Sequence, residues 1–253
     1  MTVKNKEQKI LELLEQQNMV TTIELTEYLP ASEATVRRTL AQMEQNRQLV
    51  RIPGGAIRVN EGRVLGPKDE IQMNRRMLVN TEEKKRIAEY ACREIQDGEF
   101  IFLDGGSSIT PIIAYLKDRP VTIVTNNHLI LRALDETSAA KAIAVGGDYL
   151  AQYAMSTGGP AITQVENHTY DRCFLSCMGF DLNEDMTYTT ESVTAEVKHA
   201  AVRNSRRVIL LADHSKYAVH GFCKLLPVSR FDAVYTDFTG PDLPENIISV
   251  PMQ

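Results

Sequence analysis

The sequence has little cysteine, no long apolar run and no surplus of positive charge. Its four cysteines, Cys92, Cys173, Cys177 and Cys223, show no paired metal-ligand spacing. Cys173 and Cys177 stand inside the apolar run CFLSCMGF, where a cysteine serves as a small buried side chain. Reduced thiols in a cytoplasmic protein are expected. No stretch approaches the ~20 apolar residues of a membrane span, and the opening MTVKNKEQK lacks a signal peptide's apolar core. His128, His168, His199, His214 and His220 form no HxxxH or HxH pair, and there is no GxSxG. No metal, cofactor or catalytic set is expected. The formal net charge of -5 argues against a protein coated in basic residues.

Charge is unevenly placed. Through residue 60 there are eight basic against seven acidic residues, and beyond it 20 against 26. A small neutral part, 1–60, precedes a larger acidic one, 81–253, with 61–80 as a linker containing Gly62, Gly66 and Pro67. Any affinity for nucleic acid must come from a local basic face.

Such a face is legible in the first part. Ile10, Leu11, Leu13 and Leu14 mark one helix. Thr21-Thr22-Ile23-Glu24 has the capping-box form and opens a second, and Ser32 caps a third. In the third, Val36, Leu40 and Met43 fall within about 60° of one another at helical spacing and must face the core. Arg38 then points outward, with Ala34, Thr35 and Gln42 beside it and Arg37 on the flank. Small, hydroxyl, amide and guanidinium side chains near a helix N-terminus are what reads base edges in a major groove. In LVRIPGGAIRV a two-residue Gly54-Gly55 turn sets Arg51 across from Arg58, a like-charge pair relieved by an anion lying over it. The reading is a winged helix-turn-helix on double-stranded DNA, with Ser32, Ala34, Thr35, Arg37, Arg38, Gln42, Arg51, Gly54, Gly55 and Arg58 at the DNA.

From Thr81 onward, short β-rich runs alternate with helical patterns, which means a parallel sheet covered on both faces, an α/β domain. FIFLD, VTIVTNN, KAIAVGG, CFLSCMGFD, RRVILLADHSK and DAVYTD read as strands, and SSITPIIAYL as a helix. Small and polar clusters follow the strands: Asp104-Gly105-Gly106-Ser107-Ser108, Thr125-Asn126-Asn127, Gly146-Gly147-Asp148, Gly179 with Asp181, and Asp213-His214-Ser215-Lys216. In an open α/β sheet that edge binds ligands. The Gly-Gly-Ser-Ser loop before a helix is an anion cradle, although the Walker spacing is absent. Thr125 and Asn126 are expected to hold hydroxyls, and Lys198 or Lys216 to supply the positive charge.

Together the segments SEATVRRTL (32–40), GGA (54–56), DGGSS (104–108), VTNN (124–127), GGD (146–148), ADHSK (212–216) and DAVYTD (232–237) resemble the DeoR family of bacterial sugar-responsive transcriptional regulators. The resemblance implies an effector domain similar to ribose-5-phosphate isomerase, homodimers or homotetramers on repeated or palindromic operators, and repression of a sugar or polyol operon relieved by a phosphorylated intermediate. Thr39 stands where the family has aspartate, Pro53 where it has histidine, and Glu191-Ser192 where it has Asn-Glu. Two other readings remain open: an isomerase-like enzyme with an appended DNA module, and a DNA-binding scaffold with a vestigial pocket.

Overall fold

The computed structural model describes residues 3–17, 19–46, 48–52, 54–58, 64–69, 71–240 and 242–251. The chain divides into two compact units, residues 1–63 with 68–80, and residues 64–67 with 81–253. The segment 61–80 is thus shared between them. In the first unit, Arg75 of the short helix Met73–Arg76 donates to the Met19 carbonyl (3.0 Å) and pairs with Glu24 (2.6 Å). In the second, the Leu65 amide donates to the His220 carbonyl (2.8 Å).

The first unit packs the helices Val3–Gln17, Thr22–Tyr28 and Glu33–Gln45 against a small sheet. The capping box forms: the Thr21 amide donates to Glu24 Oε2 (2.8 Å), and the Glu24 amide donates to Thr21 Oγ1 (3.1 Å). Val36, Leu40 and Met43 lie in the core with Ile10, Leu14 and Leu25, as helical spacing requires. The sheet has a strand the sequence did not announce, Met19–Thr21, and runs in the order Met19–Thr21, Gly55–Arg58, Leu49–Ile52.

The hairpin register differs from the expectation. Ile52 pairs with Gly55, so Gly55 stands in the strand and not in the turn, Arg51 faces Ala56, and Leu49 faces Arg58. The two arginines are not directly opposed, and the argument from a like-charge pair falls. The side chain of Arg58, and Pro53 and Val59 entirely, lie outside the described residues. Gly54 takes a positive φ of 81°, as a tight hairpin turn requires. Gly55 serves the strand Met19–Thr21: a Cβ there would run into the Val20 carbonyl and the Thr21 backbone. Backbone cannot swing aside as a side-chain tip can, so Gly55→Ala is expected to destabilise this unit by about 2 kcal/mol, within the 1–3 kcal/mol typical of overpacking. Urea denaturation followed by circular dichroism checks it.

The second unit is built on seven parallel strands in the order Ile247–Ser249, Ala233–Thr236, Ser205–Leu211, Tyr170–Leu175, Phe100–Leu103, Thr122–Thr125, Lys141–Ala144. Alternation along the strands feeds two cores. Ile101, Leu103, Ile209 and Leu211 pack with Ile87 and Ala91 of the helix Thr81–Cys92. Phe102, Val208 and Leu210 pack with Val165 of Gly158–Glu166 and with Val197 and Ala201 of Ser192–Arg203. The sheet is therefore covered on both faces.

Two expected elements are cut differently. CFLSCMGFD is not one strand: the parallel strand ends at Leu175, and Gly179–Asp181 joins a separate antiparallel sheet with Met186–Thr189 and Cys223–Lys224. SSITPIIAYL is no long helix but a 3-10 turn, Thr110–Ile112, run into the one-turn helix Ile113–Leu116. So short a helix has no appreciable dipole to offer an anion.

Candidate functional site

Strand order places the site. From Phe100–Leu103 the next two strands step one way along the sheet, and Tyr170–Leu175 returns to the other side of Phe100–Leu103. The crevice between those two, at their carboxyl ends, is where a doubly wound sheet accepts ligands. It is flanked by Asp104–Ser108 on one side and by Ser176 and Cys177, which sequence reasoning passed over, on the other.

Asp104 and Lys198 meet in this crevice as a buried ion pair, with side chains 2% and 6% exposed. Asp104 Oδ2 also accepts the Ser176 amide (3.0 Å) and hydroxyl (2.7 Å), and Lys198 Nζ donates to the Ser176 carbonyl (3.1 Å). Burial pushes the Asp104 carboxyl up, but the Lys198 charge and the hydrogen bonds from Lys198 and Ser176 together hold it below the ordinary carboxylate value. Lys198 is thus committed to Asp104 and is not the loose phosphate cation the sequence had allowed. Gly106 must lack a side chain, because a Cβ would overlap Ser176 Oγ and disturb the hydroxyl that pins Asp104.

The loop above this pair offers donors. Among the described residues, none of the backbone amides of Gly105, Gly106, Ser107 and Ser108 finds an acceptor. Ser107 Oγ is buried and without a hydrogen-bond partner, and so is Asn126 Oδ1 from the next strand end. Buried polar atoms are nearly always satisfied, so two orphans beside four open amides mark a place built for a polar guest. Lys216 brings its ammonium here, donating to Ser108 Oγ (3.2 Å) and the Cys177 carbonyl (2.7 Å). Asp213 caps the turn that carries it, accepting the Ser215 amide (3.2 Å).

Other expected residues are tied into the fold by hydrogen bonds. Thr125 Oγ1 donates to the Leu103 carbonyl (2.6 Å) and accepts the Asn127 amide (3.0 Å), which occupies the hydroxyl. Asn127 caps the helix His128–Ala133 and ties the Asp104 carbonyl and Thr110 to it (3.2 and 3.1 Å). Gly146 and Gly147 follow the edge strand and are exposed, the Gly146 amide donating to Gln164 Oε1 (3.1 Å).

In the first unit, Arg38, Ala34 and Gln42 are exposed on one helix face, and Arg38 has no ion pair among the described residues. Ser32 and Thr35 share a hydroxyl hydrogen bond (3.0 Å), Arg37 pairs with Glu33 (2.6 Å), and Arg51 lies 3.8 Å from Glu44. The cavity lined by Leu13, Val20, Glu24, Glu27 and Tyr28 is acidic and unsuited to a phosphate backbone.

Residues 6–61 match the model of the DeoR-like helix-turn-helix domain, and residues 79–238 that of the DeoR C terminal sensor domain. Relatives include the glycerol-3-phosphate regulon repressor of Escherichia coli, 30% identical over 92% of this chain and 90% of that one. The L-fucose operon activator of Haemophilus influenzae is 28% identical over 94% and 93%. Among solved structures, ribose 5-phosphate isomerase A of Methanocaldococcus jannaschii aligns over 55% of each chain at 15% identity and a TM-score of 0.40, too loosely to bear on chemistry. No described helix is long and apolar enough to cross a membrane. With one domain model matched at each end of the chain, and a relative 30% identical over nearly its full length, the chain belongs to the DeoR family.

Proposed function

We propose that the protein is a transcriptional repressor of a sugar or polyol operon, released from its operator when a phosphorylated intermediate enters the crevice at Asp104–Ser108. One observation carries the effector half of this reading: four open amides and the unpartnered Ser107 and Asn126 oxygens lie at the sheet's switch point, beside the Lys216 ammonium. Amides and an ammonium suit a phosphate, and the Asn126 carbonyl oxygen accepts from a hydroxyl. The ligand changes operator affinity by no more than its differential affinity for the DNA-bound and free forms.

The DNA half rests on the helix Glu33–Gln45 with its exposed Ala34, Arg38 and Gln42, and on the wing. Ser32, Thr35 and Arg37 at its N-terminus, and Arg51, Gly54, Gly55 and Arg58 of the wing, complete the proposed surface. A second copy is expected to supply the other half-site. Catalysis is not favoured, because Asp104 is pinned by three donors and held ionised, which makes it a poor proton acceptor.

The test uses an operator recovered by selection from random DNA. Arg38→Ala is expected to weaken binding by about 1–3 kcal/mol and to flatten base preference at one position. Arg51→Ala should weaken all sequences alike and lower the salt slope by about one. Equal, sequence-independent losses for both variants would place the reading helix elsewhere.

A further inference from the structure

Away from the crevice, three ligand-type side chains of the sensor domain converge. Asp181 ends the strand Gly179–Asp181, Glu184 lies in the turn that follows, and His220 arrives from a loop distant in sequence. One donor atom from each lies within 4.8 Å of the other two. His220 Nε2 is 3.0 Å from Asp181 Oδ2 and 3.9 Å from Glu184 Oε1.

The carboxylates are oriented from behind. Asp181 Oδ1 accepts the amides of Asn183 (2.8 Å) and Glu184 (3.1 Å), leaving Oδ2 to face the imidazole. Glu184 Oε2 accepts the Tyr188 hydroxyl, leaving Oε1 toward the same nitrogen. The Tyr188 ring packs tilted against the His220 ring, with centroids 5.0 Å apart and planes at 59°. In an accidental acidic cluster the carboxylates splay apart in solvent. Here each holds one oxygen on a second donor and turns the other inward to an imidazole, the arrangement that orients metal ligands.

We propose that Asp181, Glu184 and His220 bind a divalent transition metal, Zn²⁺ being the ion this donor set fits. Donors about 2.0–2.2 Å from zinc stand roughly 3.0–3.6 Å apart, so the Asp181–His220 separation already fits and the half-exposed Glu184 need move little. An imidazole with two carboxylates favours zinc over magnesium, which takes oxygen ligands and keeps its water. The ion would fasten the segment carrying His220 to the strand it already touches, where the Ala218 amide donates to the Phe180 carbonyl (2.8 Å). Lys216 belongs to the same segment. The proposal stands independently of the crevice reading, since none of its three ligands touches the Ser107–Asn126 site.

The experiment is calorimetric titration of the chelator-treated full chain with ZnCl₂ and, separately, MgCl₂, for wild type, His220→Gln, Glu184→Gln and Cys223→Ser. The expected result is one equivalent of Zn²⁺ per chain, at least ten-fold tighter than Mg²⁺. His220→Gln and Glu184→Gln should each weaken it ten-fold or more, and Cys223→Ser should leave it unchanged. Both glutamines replace partly exposed groups, so unaltered circular dichroism separates lost ligation from lost folding. Zinc binding unaffected by His220→Gln and Glu184→Gln, loss of it in Cys223→Ser, or no stoichiometric zinc at all would overturn the proposal.

Discussion

Replacing Lys198 with methionine is expected to destabilise the sensor domain by about 3–5 kcal/mol at neutral pH, the usual consequence of leaving one partner of a buried ion pair uncompensated. Asp104 has no solvent to turn to, being almost wholly buried along with Lys198. Neutralising Asp104 as well, in Asp104→Asn with Lys198→Met, should recover most of the loss, because two neutral groups need no counter-charge.

The pH dependence distinguishes this from a packing defect. In the wild type Asp104 is held below its ordinary value, so as pH falls the unfolded chain takes up the proton first. That contribution to stability is fully present above about pH 4, the unfolded carboxyl value, and is lost as pH falls through the lower folded one. In Lys198→Met burial acts with far less opposition and raises the carboxyl. The folded variant then binds its proton more readily than the unfolded chain, and its deficit shrinks on acidification. Urea denaturation at pH 7 and pH 5 reads the variant's slope, while the wild-type contribution is fully present at both. A deficit under about 1 kcal/mol at pH 7, or one that does not vary with pH, would mean the pair is solvated and not structural.

Ser107→Asp is expected to abolish the response to effector while leaving operator binding intact. The native hydroxyl is buried without a partner beside four open amides. A carboxylate there takes those amides for itself and repels an incoming phosphate. At 100 times its dissociation constant a ligand adds roughly 2.7 kcal/mol, and the variant should lose essentially all of it. Gly106→Ala should fail differently, since its Cβ displaces the Ser176 hydroxyl, and it should lower stability as well as response.

Local features were legible in the sequence because their causes are local. The helix Glu33–Gln45 could be oriented from Val36, Leu40 and Met43, and the Thr21–Glu24 capping box could be named outright, since each depends on residues within one or two turns. Most loops at the strand ends were legible too, because a parallel sheet puts them on one edge; Gly179 with Asp181, expected there, belongs instead to the separate antiparallel sheet. The wing register was not. Gly54-Gly55 looked like the turn, but Gly55 pairs with Ile52 inside the strand and is small to admit Val20 of a third strand, a contact no hairpin rule contains.

Strand order was out of reach for the same reason. The return of Tyr170–Leu175 to the side of Phe100–Leu103 is a long-range choice, and it alone creates the crevice. An unbroken apolar run concealed the break at Ser176 and Cys177, the two residues that line its far wall. Lys198 was legible as a candidate cation for the ligand; only the fold shows that it is paired with the buried Asp104. Nor could spacing reveal Asp181, Glu184 and His220 as neighbours, because the third donor comes from a different loop.

The central claim, that the Asp104–Ser108 crevice binds a phosphate ester, is tested most directly by melting wild type and Ser107→Asp against sugar and polyol phosphates, each paired with its unphosphorylated form. The account predicts that at least one ester, and not its parent sugar or polyol, raises the wild-type melting temperature, and that Ser107→Asp abolishes the rise. An equal rise in both proteins, or stabilisation by the unphosphorylated partner alone, would contradict it.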